Sequence, residues 1–372
     1  MRRLLSPLAV SLFALFTAQP LFVRQLTCSD DGAFHIGRAA ALEILIEAGH
    51  FFPRWSPHMA HGYGYPFFNY YAPLSSYLFV LAHKLGFIYP LAFSLCLGLS
   101  IWLAGLATYA FVRDLWGEPA GVAAAVVYLT APYVAYDVLF RGNLAETFAL
   151  VWPPIILYTL HRALASNFKH QTPREASKTA SLPPLPKTLK PKFGILNLKF
   201  EVWDLEFGIW DFLAALSFAA LMFTHNTTSL AVAPLIAGYV VLLATIYPRS
   251  TRRDTKKVFF VNFVSFVDRR MLLRGGLILA LGLALSARFW LPALAERDLV
   301  QSDRLLVPPI FTYYTNFLSL RELLAPPIAV DSLLINPSPA KALGLTAAVL
   351  ALIGFAALAY RVWRIAYRLS PI

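Results

Sequence analysis

YPLAFSLCLGLSIWLAGLATYAF, Tyr89 to Phe111, runs for 23 residues without a charged side chain. A helix needs about 20 apolar residues to cross the hydrocarbon core of a bilayer, so this stretch reads as a membrane span. Similar runs recur on both sides of it. Upstream, Arg2-Arg3 precedes Leu4 to Val23, which reads as a signal-anchor helix. Downstream, Pro119–Val138, Phe148–Leu164, Phe207–Phe223, Leu230–Tyr247, Gly275–Ala295 and Ala342–Tyr360 complete a set of eight. Ala72–Gly86 is apolar but too short to span and ends in His83-Lys84. It is expected to be a juxtamembrane or re-entrant helix.

Composition agrees. The chain is 58% hydrophobic and 14% charged, with a mean hydropathy of +0.60. Soluble domains hold about 25% charged residues, so a soluble globule is excluded. The expected fold is an all-α polytopic membrane protein, with residues 1–372 forming a single membrane domain.

The net charge of +12 is distributed by side rather than gathered into a nucleic-acid surface. If the N-terminus is cytoplasmic, 22 of the 32 Lys and Arg fall on inside segments, chiefly the basic loops 165–206 and 248–274. That bias follows the positive-inside rule and predicts both termini in the cytoplasm. Counting Ala72–Gly86 as a span would move both basic loops outside, so charge argues against it. The two cysteines, Cys28 and Cys96, are not expected to pair.

In this topology the first outside loop, 24–86, shares one membrane face with three other polar clusters: Arg141 to Glu146, His225-Asn226 and the loop 296–341. The first loop is the densest, with SDDGAFHIGRAAALEILIEAGHFFPRWSPHMAHGYGYPFFNYYAP from Ser29 to Pro73. Ser29 is a favourable N-cap, and a helix from there to about Ala48, closed by Gly49, sets Asp31, His35 and Arg38 on one face. Asp30 or Asp31 is placed to accept a proton from an acceptor hydroxyl or to hold a divalent cation, Mg or Mn. His35 and Glu146 are candidate supporting polar groups. Arg38, Arg54, Arg141 and Arg288 are candidate phosphate ligands, because guanidinium binds phosphate through paired hydrogen bonds. His58, Tyr63, Tyr65, His225 and Asn226 complete the candidate binding set, with the tyrosines suited to stacking on a sugar ring or an isoprenoid tail.

The motifs Asp-Asp-Gly-x-x-His-x-x-Arg (30–38), Pro-Arg-Trp (53–55), Gly-Tyr-Gly-Tyr-Pro-Phe-Phe-x-Tyr-Tyr-x-Pro (62–73), Arg-Gly-Asn-x-Ala-Glu (141–146), Thr-His-Asn (224–226) and Phe-Trp-Leu-Pro-Ala (289–293) resemble a known family. It is the group of prokaryotic membrane proteins labelled 6-pyruvoyl-tetrahydropterin synthase-related domain, and the likeness covers most of residues 25–300. That family in turn resembles the GT-C glycosyltransferases, multi-span enzymes that use polyprenyl-phosphate sugars and carry an acidic motif in the first outside loop. The resemblance implies a GT-C-like fold in the cytoplasmic membrane of a prokaryote, a lipid-linked sugar donor within the membrane lipids, and Asp30 or Asp31 as the catalytic carboxylate. Two other classes fit the composition: a lipid or solute transporter, and a non-catalytic membrane protein of envelope assembly. A transporter is expected to show mid-membrane charges or inverted repeats. A scaffold is expected to tolerate loss of the aspartates.

Overall fold

The computed structural model describes residues 2–23, 29–165, 207–246, 268–301, 304, 317–324 and 345–369. Cys28, most of both basic loops and most of the loop 296–341 lie outside these. All regular secondary structure among the described residues is helical, and an isolated antiparallel bridge joins Ser56 to Tyr65. Among the described residues, four helices are long and apolar enough to cross a membrane, or up to six if each of two bent pairs counts as one span. The protein is therefore an integral membrane protein, helical in all the regular structure of its described residues.

The described residues cluster into two compact units, Met1–Val151 with Leu291–Ile372, and Trp152–Trp290. In the first unit, helix α1 (Arg2–Ala18) packs on α5 (Tyr89–Trp116) and α6 (Glu118–Leu129). Val10, Ala14 and Ala18 are buried, while Leu4, Leu8, Leu12 and Phe16 of the same helix are exposed. In water such a face would be costly; against lipid it is the expected outward surface. The α5–α6 pair is drawn together at two glycines. A Cβ on Gly105 would lie 2.9 Å from Leu129, and one on Gly121 would lie 2.9 Å from the Tyr109 carbonyl oxygen. Small residues at such crossings let helix backbones approach where lipid supplies no hydrophobic drive.

Helix α2 (Gly32–Glu47) ends close to the expected boundary, with Gly49 at φ +88° reversing the chain. Helix α4 (Leu74–Lys84) has 11 residues, short of a span, as expected for a juxtamembrane element. Lys84 ties the two together, with Nζ 2.6 Å from Glu43 and a second bond to Glu47. Tyr89, at the start of α5, donates to the same Glu43 at 2.6 Å.

The third apolar run departs from a straight span. Helix α6 stops at Leu129, and after a bend of 48° the chain resumes as α7 (Pro132–Ala135) and a π-helical turn, Tyr136–Arg141. Pro132 lacks a donor and disfavours helix at the residue before it, and the chain breaks there. Helices α8 (Leu144–Ala149) and α9 (Trp152–Ala165) follow, and together Leu144–Ala165 is a candidate span.

In the second unit, α9, α10 (Ile209–Thr224), α11 (Asn226–Ile246) and α12 (Arg269–Leu285) form a bundle. Helix α10 has 16 residues, fewer than the expected fifth span needs. The expected seventh span is bent by 71° between α12 and α13 (Ala287–Ala295), at Ser286. Inside the bundle Asp211 is fully buried and takes both arms of Arg274, at 2.6 Å and 2.5 Å. The eighth run lies partly within Leu345–Leu369, which is helical.

The α5–α6 contact supplies a test. Gly121→Leu should destabilise the protein by about 1–3 kcal/mol through overpacking against Tyr109. Thermal unfolding in detergent would show a lowered midpoint, whereas Gly238→Leu, where an added side chain meets open space, should leave it in place.

Candidate functional site

The polar centre of the first unit is built on two backbone hydrogen bonds. The Asp30 amide donates to the Phe140 carbonyl at 3.0 Å, and the Asp31 amide donates to the Arg141 carbonyl at 2.7 Å. They join the start of α2 to the π-helical turn more than a hundred residues away. Gly142 makes the approach feasible. Its φ is +59°, and a Cβ there would fall 2.8 Å from the Ser29 Cβ and 2.5 Å from its Oγ. A Cβ on Gly32 would also lie 2.5 Å from that Oγ. Ser29 therefore packs between two glycines instead of capping α2. Asp31 holds the cap position, without a side-chain capping bond.

Arg141 lies at the centre of this join. Its guanidinium is 2.6 Å from Glu146, 3.0 Å from Asp137 and 3.7 Å from Asp31. Asp137 is fully buried and also accepts from the Thr147 hydroxyl at 3.0 Å. Glu146 accepts from the Tyr133 hydroxyl as well. The Arg-Gly-Asn-x-Ala-Glu motif thus has a local physical reading. Arg141 gathers the carboxylates and Gly142 supplies the left-handed turn. Asn143 caps α8 by accepting from the Glu146 amide at 3.1 Å, and Ala145 is fully buried. Glu146, in the first turn of α8, faces back to Arg141.

Three carboxylates around one guanidinium leave an excess of negative charge. Burial pushes the Asp31 carboxyl above its ordinary range, helped by Asp30 and Glu146 and opposed by Arg141 and Arg38. Arg38 lies over two aromatic rings, 4.5 Å from the centroid of Tyr71 and 5.0 Å from that of Phe67. Burial likewise raises the Tyr71 hydroxyl, with Arg38 opposing it and Asp31 adding to it. Asp31, Arg38, Tyr71, Arg141 and Glu146 therefore share one electrostatic neighbourhood. Asp30 is exposed beside it. His35 points into the core, 2% exposed, with its ring stacked on Phe93 at 6.4 Å.

Arg54 forms a second centre. It donates to Glu296 at 2.6 Å, Asn69 donates to the other Glu296 oxygen at 3.1 Å, and the Tyr70 hydroxyl donates to the Glu296 carbonyl at 2.6 Å. His58, His61, Tyr63 and Tyr65 are exposed on a tight loop between α2 and α4. His225, Asn226 and Arg288 belong to the second unit. There His225 follows α10 and its Nδ1 is 2.8 Å from the Thr228 hydroxyl, while Asn226 opens α11.

Sequence reasoning gave no role to Tyr133 or Glu296, placed Tyr71 in an aromatic run suited to stacking, and left Asp137 in a polar cluster without a role of its own. Asp137 carried a signal, because a carboxylate within an apolar run is a functional candidate. The pairing of Arg54 with Glu296 spans 242 positions and had none. Among the described residues no three His, Cys, Asp or Glu side chains form a group suited to a metal ion. Around Asp31 the nearest cationic side chain is the Arg141 guanidinium, at 3.7 Å.

No family model matches the chain, and no curated protein or solved structure is detectably similar to it.

The shared arginine makes a direct prediction. Arg141→Met leaves the buried Asp137 and the Glu146 carboxylate without their cation, an expected cost of about 3–5 kcal/mol. Arg141→Lys, which keeps the charge, should cost clearly less. Denaturation of both variants in detergent measures the difference, and equal losses would show that charge is not what Arg141 contributes.

Proposed function

We propose that this chain is a GT-C-like membrane glycosyltransferase, moving a sugar from a polyprenyl-phosphate donor to an acceptor outside the cytoplasm. The reading includes eight spans with both termini cytoplasmic, in a prokaryotic cytoplasmic membrane. The observation that supports it best is the placing of Asp31: a half-buried carboxylate at the start of α2, with Arg38 and Arg141 beside it.

In the proposed reaction the acceptor hydroxyl attacks the anomeric carbon of the donor. A new carbon–oxygen bond forms as the bond from that carbon to the lipid phosphate breaks. The hydroxyl proton passes to the Asp31 carboxylate, and the phosphate leaves with its lipid. A carboxylate whose pKa is raised is a stronger base than an ordinary aspartate. Arg38 is the phosphate ligand of choice, since its guanidinium is held over Phe67 and Tyr71 by ring contacts. Arg141, already shared among three carboxylates, serves to fix Asp31 and Glu146. Arg54, engaged by Glu296, anchors the first loop.

One observation favours a second reading, a proton-coupled transporter. Asp137 is fully buried where an apolar run breaks into a π-helical turn, and broken helices with internal carboxylates are common at transport sites. In proteoliposomes, a transporter would need Asp137 to dissipate a proton gradient with its solute, and an enzyme would not.

The enzyme reading predicts that Asp31→Asn loses at least about 100-fold in transfer from a panel of synthetic polyprenyl-phosphate sugars, while remaining folded. For the unaltered protein, Asp31 must be ionised to act. Activity should therefore rise with pH through its raised pKa, placing the acid limb of kcat/KM above the ordinary value of about 4. An acid limb at or below that value, or full transfer by Asp31→Asn, contradicts the assignment.

A further inference from the structure

The loop between α2 and α4 is stiff, strained and aromatic. Ser56 and Tyr65 exchange backbone hydrogen bonds at 2.8 Å and 2.9 Å, and the amides of Gly62 and Gly64 both donate to the Met59 carbonyl. Within this closed loop Ala60 and His61 have φ of +53° and +56°, a conformation that costs non-glycine residues about 1 kcal/mol or more. Trp55 lies flat against Gly64, where any Cβ would fall 2.5 Å from the indole ring, and Gly64 itself has φ +84°. The Pro-Arg-Trp and Gly-Tyr-Gly-Tyr motifs are therefore two halves of one device: the glycine leaves room for the indole. That device holds aromatic side chains outward. Trp55 is 52%, Tyr63 89% and Tyr65 50% exposed.

From this loop a row of rings leads to the carboxylates. Tyr65 is 6.4 Å from Phe67, Phe67 stacks on Tyr71 at 4.7 Å, and Arg38 covers both Phe67 and Tyr71 beside Asp31. We propose that Trp55, Tyr63 and Tyr65 form a binding platform for an oligosaccharide acceptor, whose reacting end is led along Phe67 and Tyr71 toward Asp31. This assignment rests on the transferase reading above and names its acceptor class.

The chemistry of the patch selects a sugar over a hydrocarbon. A pyranose ring presents an apolar C–H face to an aromatic ring and hydroxyls at its edge. His58 and His61, exposed on the same loop, and the tyrosine hydroxyls supply donors and acceptors for those hydroxyls. An isoprenoid or acyl chain has nothing to offer these donors and acceptors. Backbone strain points the same way. A membrane belt needs aromatic residues only at the right depth, whereas a fixed relation between rings is worth strain only where a shaped ligand must fit.

The test uses the full chain in lipid nanodiscs, titrated with soluble oligosaccharides of increasing length built from hexoses or N-acetylhexosamines, with binding read by calorimetry. At least one series should bind, more tightly as it lengthens. Trp55→Ala and Tyr63→Ala should each weaken binding by about tenfold with the unfolding midpoint unchanged. Gly64→Ala should act through Trp55 and weaken binding in the same direction. Asp31→Asn should bind normally, so failure of transfer and failure of the platform are separable. Absence of binding across the panel, or full binding by Trp55→Ala, overturns the proposal. So does quenching of the Trp55 fluorescence by brominated phospholipid, taken as the difference between the parent and Trp55→Ala, because the ring would then sit in the bilayer interface.

Discussion

One guanidinium holds the first unit's polar centre together. Arg141 answers Asp31 from the start of α2, Asp137 from its own turn and Glu146 from the next helix. Removing any charge from water is costly, and a buried carboxylate without a partner would protonate or disrupt the fold. With Arg141 in place, three acids can share a small volume, while burial, more than the neighbouring acids, holds the pKa of Asp31 above its ordinary value. The rest of the region serves this contact. Ser29 fits between Gly32 and Gly142, two backbone hydrogen bonds fasten Asp30 and Asp31, and Asn143 caps the helix that presents Glu146.

The aromatic loop contributes rigidity of a different kind. Its hydrogen bonds are local, its outward rings are set by backbone conformation, and its connection to the acids runs through stacked side chains. Arg54 and Asn69 fasten it to Glu296, a residue that follows α13 in the chain. A loop this well tied is a poor candidate for a disordered connector, and it holds exposed rings on the same scaffold as Asp31.

Much of this was legible in the residues. Long uncharged runs reveal helices α1, α5 and α11 because lipid demands length and apolarity of a single element. Helix α2 could be bounded because Gly49 marks its reversal, and α4 could be read as too short to span from the length of its apolar run. What sequence could not supply was partnership. Arg54 and Arg141 looked available for a phosphate because their carboxylates, Glu296 and Asp137, were unknown as neighbours. Ser29 looked like a cap because its burial between two glycines depends on a contact with the 140–142 turn. The break after Leu129 was signalled by Pro132, but the bend that follows is set by tertiary packing and the π-helical turn.

The central claim is that Asp31 and Arg141 interact across more than a hundred residues of chain. A double-mutant cycle on unfolding in nanodiscs, built from Asp31→Asn, Arg141→Met and the combined variant, measures that interaction. The account predicts a coupling of about 0.5–3 kcal/mol, because the two groups share one network. Strict additivity would mean that they do not meet, and the carboxylate centre described above would not exist.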